Sequence, residues 1–275
     1  MEQGKTGKDQ MSILYANYHT HTWRCNHASG TEREYVECAI KNGIKVLGFS
    51  DHTPMPYPDG YLSRDKMRLS ETEDYVDTVC ALRDEYRGEI EIRLGLDVEY
   101  YPALFRDLLR FLEPYPIEYF LLGQHYLGNE IGEAFCGRPT ADEGKLRQYC
   151  AQTAEALETG RFTYFAHPDV LNFTGDPGIY EQCMRGLCIR AKELHIPLEI
   201  NLLGLGTNRH YLNRRFWEIA GAVGNEAVLG CDAHLPENVF VPAVIQAGRE
   251  LAASCGVVLL DEVELRDPAS NPFSE

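Results

Sequence analysis

The chain has 275 residues, a formal net charge of −16 and a pI near 5.0, which argues against unassisted binding to phosphate backbones or anionic membranes, since both reward basic surfaces. Its nine cysteines, an odd number without a CxxC pair, suit free thiols in a reducing cytoplasm better than a disulfide framework. No apolar run approaches the roughly 18 residues that span a bilayer, and the polar stretch Met1 to Gln10 lacks the apolar segment of a signal peptide and reads as a disordered tail. Residues 11–275 then form a single domain.

In chain order, apolar runs alternate with amphipathic segments. A first strand, Ile13 to His19, runs into His19-Thr20-His21-Thr22-Trp23-Arg24-Cys25-Asn26-His27. A strand alternates faces with period two, so His19 and His21 leave its end on one side, and the polar loop returns His27 to the same mouth. Thr31 to Asn42 reads as a helix that Gly43 ends. The strand Val46 to Ser50 leads into Asp51-His52, and the helix Leu69 to Tyr86 opens with Ser70 and Glu73 at capping-box spacing. Ile90 to Val98 carries Gly95-Leu96-Asp97-Val98-Glu99, followed by a helix from Pro102 to Leu112 with proline at its start. Tyr119 to Gln124 precedes His125, and Phe162 to Ala166 precedes His167, with a helix Thr140 to Thr159 between them. A helix Gly178 to Leu194 leads to the strand Leu198 to Leu202, which holds Glu199-Ile200-Asn201 in place of a histidine ending. Leu212 to Val223 is helical, Ala227 to Cys231 runs into Asp232-Ala233-His234, and Pro236 to Ser254 is helical. Val257 to Leu265 reads as an eighth, antiparallel strand or an extended cover.

Strands alternating with helices predict a parallel sheet buried on both faces, with ligands gathering at the carboxyl ends of its strands. An open doubly wound sheet brings only a few loops to one crevice. Donors after six strands therefore favour a closed α/β barrel. They are His19, His21, His27, His52, Asp97 or Glu99, His125, His167, Asp232 and His234, and they include seven of the nine histidines. One ion takes four or five protein groups, so nine imply two or three divalent metals, with zinc, manganese and iron all open. Such a cluster activates water for in-line attack and neutralises the oxygens of a phosphoryl group.

The ordered set HxH, His, SDH, GxD/E, GxH, AHP and DxH, with His19 to Gly30 close to an HTHxxxCxHAxG opening, resembles the PHP family of metal-dependent phosphoesterases and within it the histidinol-phosphate phosphatases. The resemblance runs from Asn17 to Pro236 and implies a distorted (β/α)7 barrel with three metals at its C-terminal mouth. Carried over by motif, it implies that His19, His21 and Asp232 hold one metal. A GxE carboxylate would bridge to a second, completed by His125 and His167, and His27, His52 and His234 would hold the third. This chain has Asp97 where the family usually has Glu, with Glu99 two residues on, and Asp97 is taken as the bridge.

A phosphomonoester needs cations besides the metals. Arg24, Arg138 and Arg209 fall in expected mouth loops, and Arg209 ranks first because the resembling phosphatases bind substrate with the segment corresponding to Gly204 to His210. His210 beside it is a further candidate for substrate contact, His195 reads as structural, and Asp232 and His234 are the groups placed to protonate the leaving alkoxide. The resemblance implies hydrolysis of L-histidinol phosphate to histidinol and orthophosphate by a cytoplasmic enzyme. A phosphatase or phosphodiesterase for another small metabolite, such as a nucleotide or sugar phosphate, is the alternative. A free-standing module acting on nucleic acid is the alternative of another class, and the acidic charge with no basic, aromatic-interleaved patch counts against it. Oligomeric state is not legible.

Overall fold

The alternating runs build one sheet of eight parallel strands in sequential order in the computed structural model, which describes residues 14–269. The expected tail, Met1 to Gln10, lies outside the described residues. The strands are β1 (Ala16–Asn17), β2 (Val46–His52), β3 (Glu91–Val98), β4 (Tyr119–Leu122), β5 (Phe162–Phe165), β6 (Leu198–Asn201), β7 (Glu226–Gly230) and β8 (Val258–Leu259). The helices are α1 (Glu32–Lys41), α2 (Thr72–Glu85), α3 (Phe105–Leu112), α4 (Glu143–Glu158), α5 (Pro177–Glu193), α6 (Leu202–Gly206), α7 (Arg214–Val223) and α8 (Pro242–Cys255).

The sheet curls into the expected distorted barrel, and its seam closes just beyond β1 and β7. Thr20 bridges Ala233 in parallel. There the His21 amide donates to the Ala233 carbonyl at 2.9 Å and the Ala233 amide to the His19 carbonyl at 3.2 Å, while the Asn17 side chain accepts from the Cys231 amide at 2.9 Å. On β3, Ile92, Leu94, Leu96 and Val98 pack into the main core with the helices, as period-two alternation requires. Gly95 faces inward, where the Tyr119 ring takes the space of its missing Cβ. The Tyr119 hydroxyl crosses the interior to donate to the Tyr18 and Phe49 carbonyls at 2.7 and 3.1 Å.

Several expected boundaries shift. A turn of 3-10 helix, Leu69–Glu71, precedes α2, and the cap is made by Glu71, which accepts from the Arg68 amide at 2.8 Å, instead of by Ser70 and Glu73. The third helix starts at Phe105 and not at Pro102. The segment expected as one helix from Pro236 to Ser254 divides into Pro236–Val239 and α8, because Pro242 has no amide hydrogen and is suited to start a helix. The short α6, capped by the Asn201 side chain accepting from the Gly204 amide at 2.9 Å, was not expected. The eighth strand pairs with β7 in parallel, not antiparallel: α8 returns the chain to the same end of the sheet as every earlier crossover.

Candidate active site

All nine expected donors meet at the carboxyl ends of the strands. β1 delivers His19 and His21, whose ring centroids are 5.0 Å apart, and β2 ends in His52. His27 follows a 3-10 turn that the Thr22 side chain caps. Asp97 lies on β3, and its carboxylate fills the space that a Cβ on Gly123 would take. His167 and Asp232 follow β5 and β7 with φ of 32° and 49°. Those left-handed conformations are uncommon for non-glycine residues, so two donors stand on strained backbone.

The donor atoms fall into overlapping groups whose members lie within 4.8 Å of one another: His27, His52 and His234; His19, His21 and Asp97; His52, Asp97 and His125; and His19, His167 and Asp232. His19, His52 and Asp97 each join two of these groups, and Asp97 is the one carboxylate among those three. Cys25 forms a further group with His21 and His234, a placement the sequence did not suggest; burial pushes its thiol far up, with Asp51 adding to the shift.

Three features test whether these residues fit a metal cluster. First, the Nε2 of His19, both ring nitrogens of His21, both oxygens of Asp97 and the Nδ1 of His167 are buried without a hydrogen-bond partner, although buried polar groups are normally satisfied. Second, the His27 and His234 Nδ1 atoms lie 2.7 and 2.9 Å from the carbonyls of Cys25 and Asp232. A carbonyl only accepts, so each proton sits on Nδ1 and the two Nε2 lone pairs face each other at 2.9 Å, an arrangement that calls for a cation. Third, carboxylates orient the rings from behind. Glu199 accepts from His19 Nδ1 at 2.7 Å and from the His167 amide at 3.0 Å, and Glu99 lies 3.3 Å from His125 Nδ1. Carboxylate–histidine pairs of this kind fix tautomers at metal sites. The residues fit.

Glu99 is occupied differently from Asp97. Its oxygens take Lys66 Nζ at 2.7 Å, the Tyr101 hydroxyl and the Tyr126 amide, whereas Asp97 faces only the ring nitrogens of the cluster, with His52 Nδ1 2.9 Å from its Oδ2. Burial raises Asp97. For Glu99, burial is outweighed by Lys66 and His125, which bring it down to about 2. Burial likewise opposes the charged forms of His19 and His21, but Glu199 and Asp232 hold His19 up at about 9, and Asp232 and Asp51 hold His21 at about 10. Burial and the neighbouring His21 charge push His52 down and His234 to about 3, and burial with His125 lowers His167.

Above the cluster opens a cavity of about 590 Å³ whose lining includes Arg138, Arg209, Lys66, Tyr126 and Tyr211. Arg138 and Arg209 thus stand where the sequence placed them. Arg24 does not: it is buried and paired with Glu32 and Asp74, away from the mouth. His210 ties its loop to the Val170 carbonyl at 2.7 Å, and His195 ends α5 with φ 53°. Sequence reasoning missed Lys66 and Glu130, whose partners are far off in the chain, and noted Glu199 only as the strand that lacked a histidine.

A "Probable histidinol-phosphatase" of Deinococcus radiodurans is 30% identical over 230 residues, covering 80% of this chain and 86% of that protein. A "Histidinol-phosphatase" of Bacillus subtilis is 34% identical over 115 residues, 40% of this chain and 43% of its own. In fold, the chain is similar to a histidinol phosphate phosphatase of Lactococcus lactis solved with zinc, L-histidinol and phosphate, with a TM-score of 0.70, 18% identity, and coverage of 91% of this chain and 99% of that one. The family described as PHP domain matches residues 17–202, well over half of the sequence and five of the strands that bring donors to the mouth, so the chain belongs to the PHP family.

Proposed function

We propose that the protein is a metal-dependent phosphomonoesterase whose substrate is L-histidinol phosphate, split to histidinol and orthophosphate. The observation that carries the reaction class is nine converging donors, all but His27 buried or half-buried and six of their atoms unpartnered, at the floor of a cavity lined by Arg138 and Arg209. The choice of substrate is supported by the relatives, at 30% identity over most of both chains for the Deinococcus protein.

His19, His21, Asp97 and Asp232 would hold one divalent ion, Asp97, His125 and His167 a second, and His27, His52 and His234 a third. When bound, such ions lower the pKa of water and neutralise charge on a transferring phosphoryl group. Arg138 and Arg209 grip the phosphate oxygens, since guanidinium matches their geometry. Against the effect of burial, His19 and His21 hold Asp232 well below the usual carboxylate range, and His234 sits near 3. Both are unprotonated at neutral pH and so suited to holding an ion; neither has a proton of its own to give, so the leaving alkoxide takes its proton from solvent in the open cavity.

Steady-state phosphate release from L-histidinol phosphate, beside nucleotides, sugar phosphates and a chromogenic monoester, tests the reading on protein of counted metal content. Histidinol phosphate should lead by orders of magnitude in kcat/KM. Slow, uniform turnover of every ester would remove the substrate, and no turnover by metal-loaded protein would remove the reaction class.

A further inference from the structure

The mouth holds a buried ion triad that the reaction outlined above does not use. Lys66, 4% exposed on the loop between β2 and α2, places Nζ 2.7 Å from Glu99 Oε1 and 3.0 Å from Glu130 Oε2. Glu99 follows β3 and Glu130 sits in the loop after β4, so one ammonium joins three rim loops. Every carboxylate oxygen in the triad is satisfied from within the protein: Glu130 accepts from the Tyr57 and Tyr61 hydroxyls at 2.8 and 3.1 Å, and Glu99 from Tyr101 and the Tyr126 amide. The same Oε1 of Glu99 that meets Lys66 lies 3.3 Å from His125 Nδ1.

We propose that Lys66 is a positioning residue: it pins Glu99 behind His125, so that Glu99 fixes the proton on His125 Nδ1 and leaves Nε2 to the metal cluster. The chain puts two carboxylates, Asp97 and Glu99, two residues apart at the end of one strand, and something must assign their roles. Asp97 faces only ring nitrogens, His52 Nδ1 at 2.9 Å among them, whereas Glu99 accepts three hydrogen bonds from outside the cluster, one of them from a lysine. A carboxylate that orients a liganding histidine commonly accounts for 10–100-fold in metal affinity. Lys66 acts through Glu99 at one remove, with Glu130 as the second anchor that holds the ammonium in place.

The inference rests on the metal-cluster reading but not on the identity of the substrate, so its test reads metal alone. Full-length Lys66→Met and Glu99→Gln would be titrated with zinc against a chromophoric chelator, with zinc counted after dialysis and folding checked by circular dichroism. Both variants should lose about 10–100-fold in affinity for one zinc while the others stay at wild-type affinity. The double variant should lose little more than either single, because both act along one path. If Lys66 instead competes with metal for Glu99, Lys66→Met will bind zinc more tightly, and the proposal falls. Unchanged affinity in a folded Lys66→Met protein also overturns it. Should Lys66→Met not fold, Glu99→Gln decides by the same criterion, since the amide keeps an oxygen for Lys66: retained zinc affinity refutes the proposal, and selective loss of one zinc supports it. A wild-type protein that hydrolyses no histidinol phosphate would leave these affinities readable and would count only against the substrate.

Discussion

Asp97 shares donor-atom spacing of 4.8 Å or less with His19, His21, His52 and His125, and no hydrogen bond reaches either of its oxygens. Asp97→Asn keeps the shape and removes the charge, so at least one zinc should be lost and kcat should fall by about 10³-fold or more, the scale of several kcal/mol of electrostatic stabilisation; retained metal and turnover in this variant would transfer the bridge to Glu99. Arg209→Ala should raise KM for a phosphomonoester while metal content stays constant, which steady-state kinetics with metal analysis will decide. Asp97 and most of the donor histidines were legible because they lie at or just past the end of a strand run, and position along a strand is a local property. Lys66, Glu130 and the buried pairing of Arg24 were not, because an ion pair between residues 66 and 130, or 24 and 74, leaves no periodic trace. A loop arginine looks like a mouth cation until its partners are known.

Glycines at strand ends give the elements room for buried carboxylates. An added Cβ on Gly230 would come 1.8 Å from Glu199 Oε1, the oxygen that receives His19. Gly230→Ala should therefore weaken zinc binding by about 10–100-fold through the displaced Glu199, measurable by chelator competition. Gly221 is the contrasting case, since its Cβ would lie 1.7 Å from the Cys255 carbonyl oxygen where α7 meets α8. Backbone cannot step aside easily, so Gly221→Ala should cost about 3 kcal/mol by denaturant unfolding, the upper end of the usual overpacking range, and leave zinc affinity in the folded fraction unchanged. Of the elements, the seven strand positions and seven long helices were readable from alternation of apolar runs. Helix starts were less so, because Pro102, Ser70 and Pro236 each satisfy a local start rule that a turn also satisfies. The five-residue α6 is too short to show a period at all.

For the whole molecule, the metal-free protein carries protons on His19 and His21, whose values near 9 and 10 exceed the ordinary 6.5. The stability they lend is fully present below 6.5 and is lost as pH rises through 9 to 10. His234, depressed to about 3, works in the other direction: its contribution is present above 6.5 and is lost as pH falls toward 3. Metal-free protein should thus be most stable between these limits and weaken on both sides. Zinc must displace the protons of His19 and His21, so uptake near pH 7.5 should release about two protons and affinity should climb with pH. The dependence of calorimetric binding enthalpy on buffer ionisation enthalpy measures that number, and a release near zero would refute it. The seam that closes the barrel at Thr20 and Ala233 has a consequence for how the molecule is made. One lip, just past β1, carries His19 and His21, and the other, just past β7, carries Asp232 and His234. During synthesis, then, a ribosome must deliver every residue between the two lips before those four donors can meet, and a product truncated short of residue 232 lacks both the far lip of the barrel and half of that donor set.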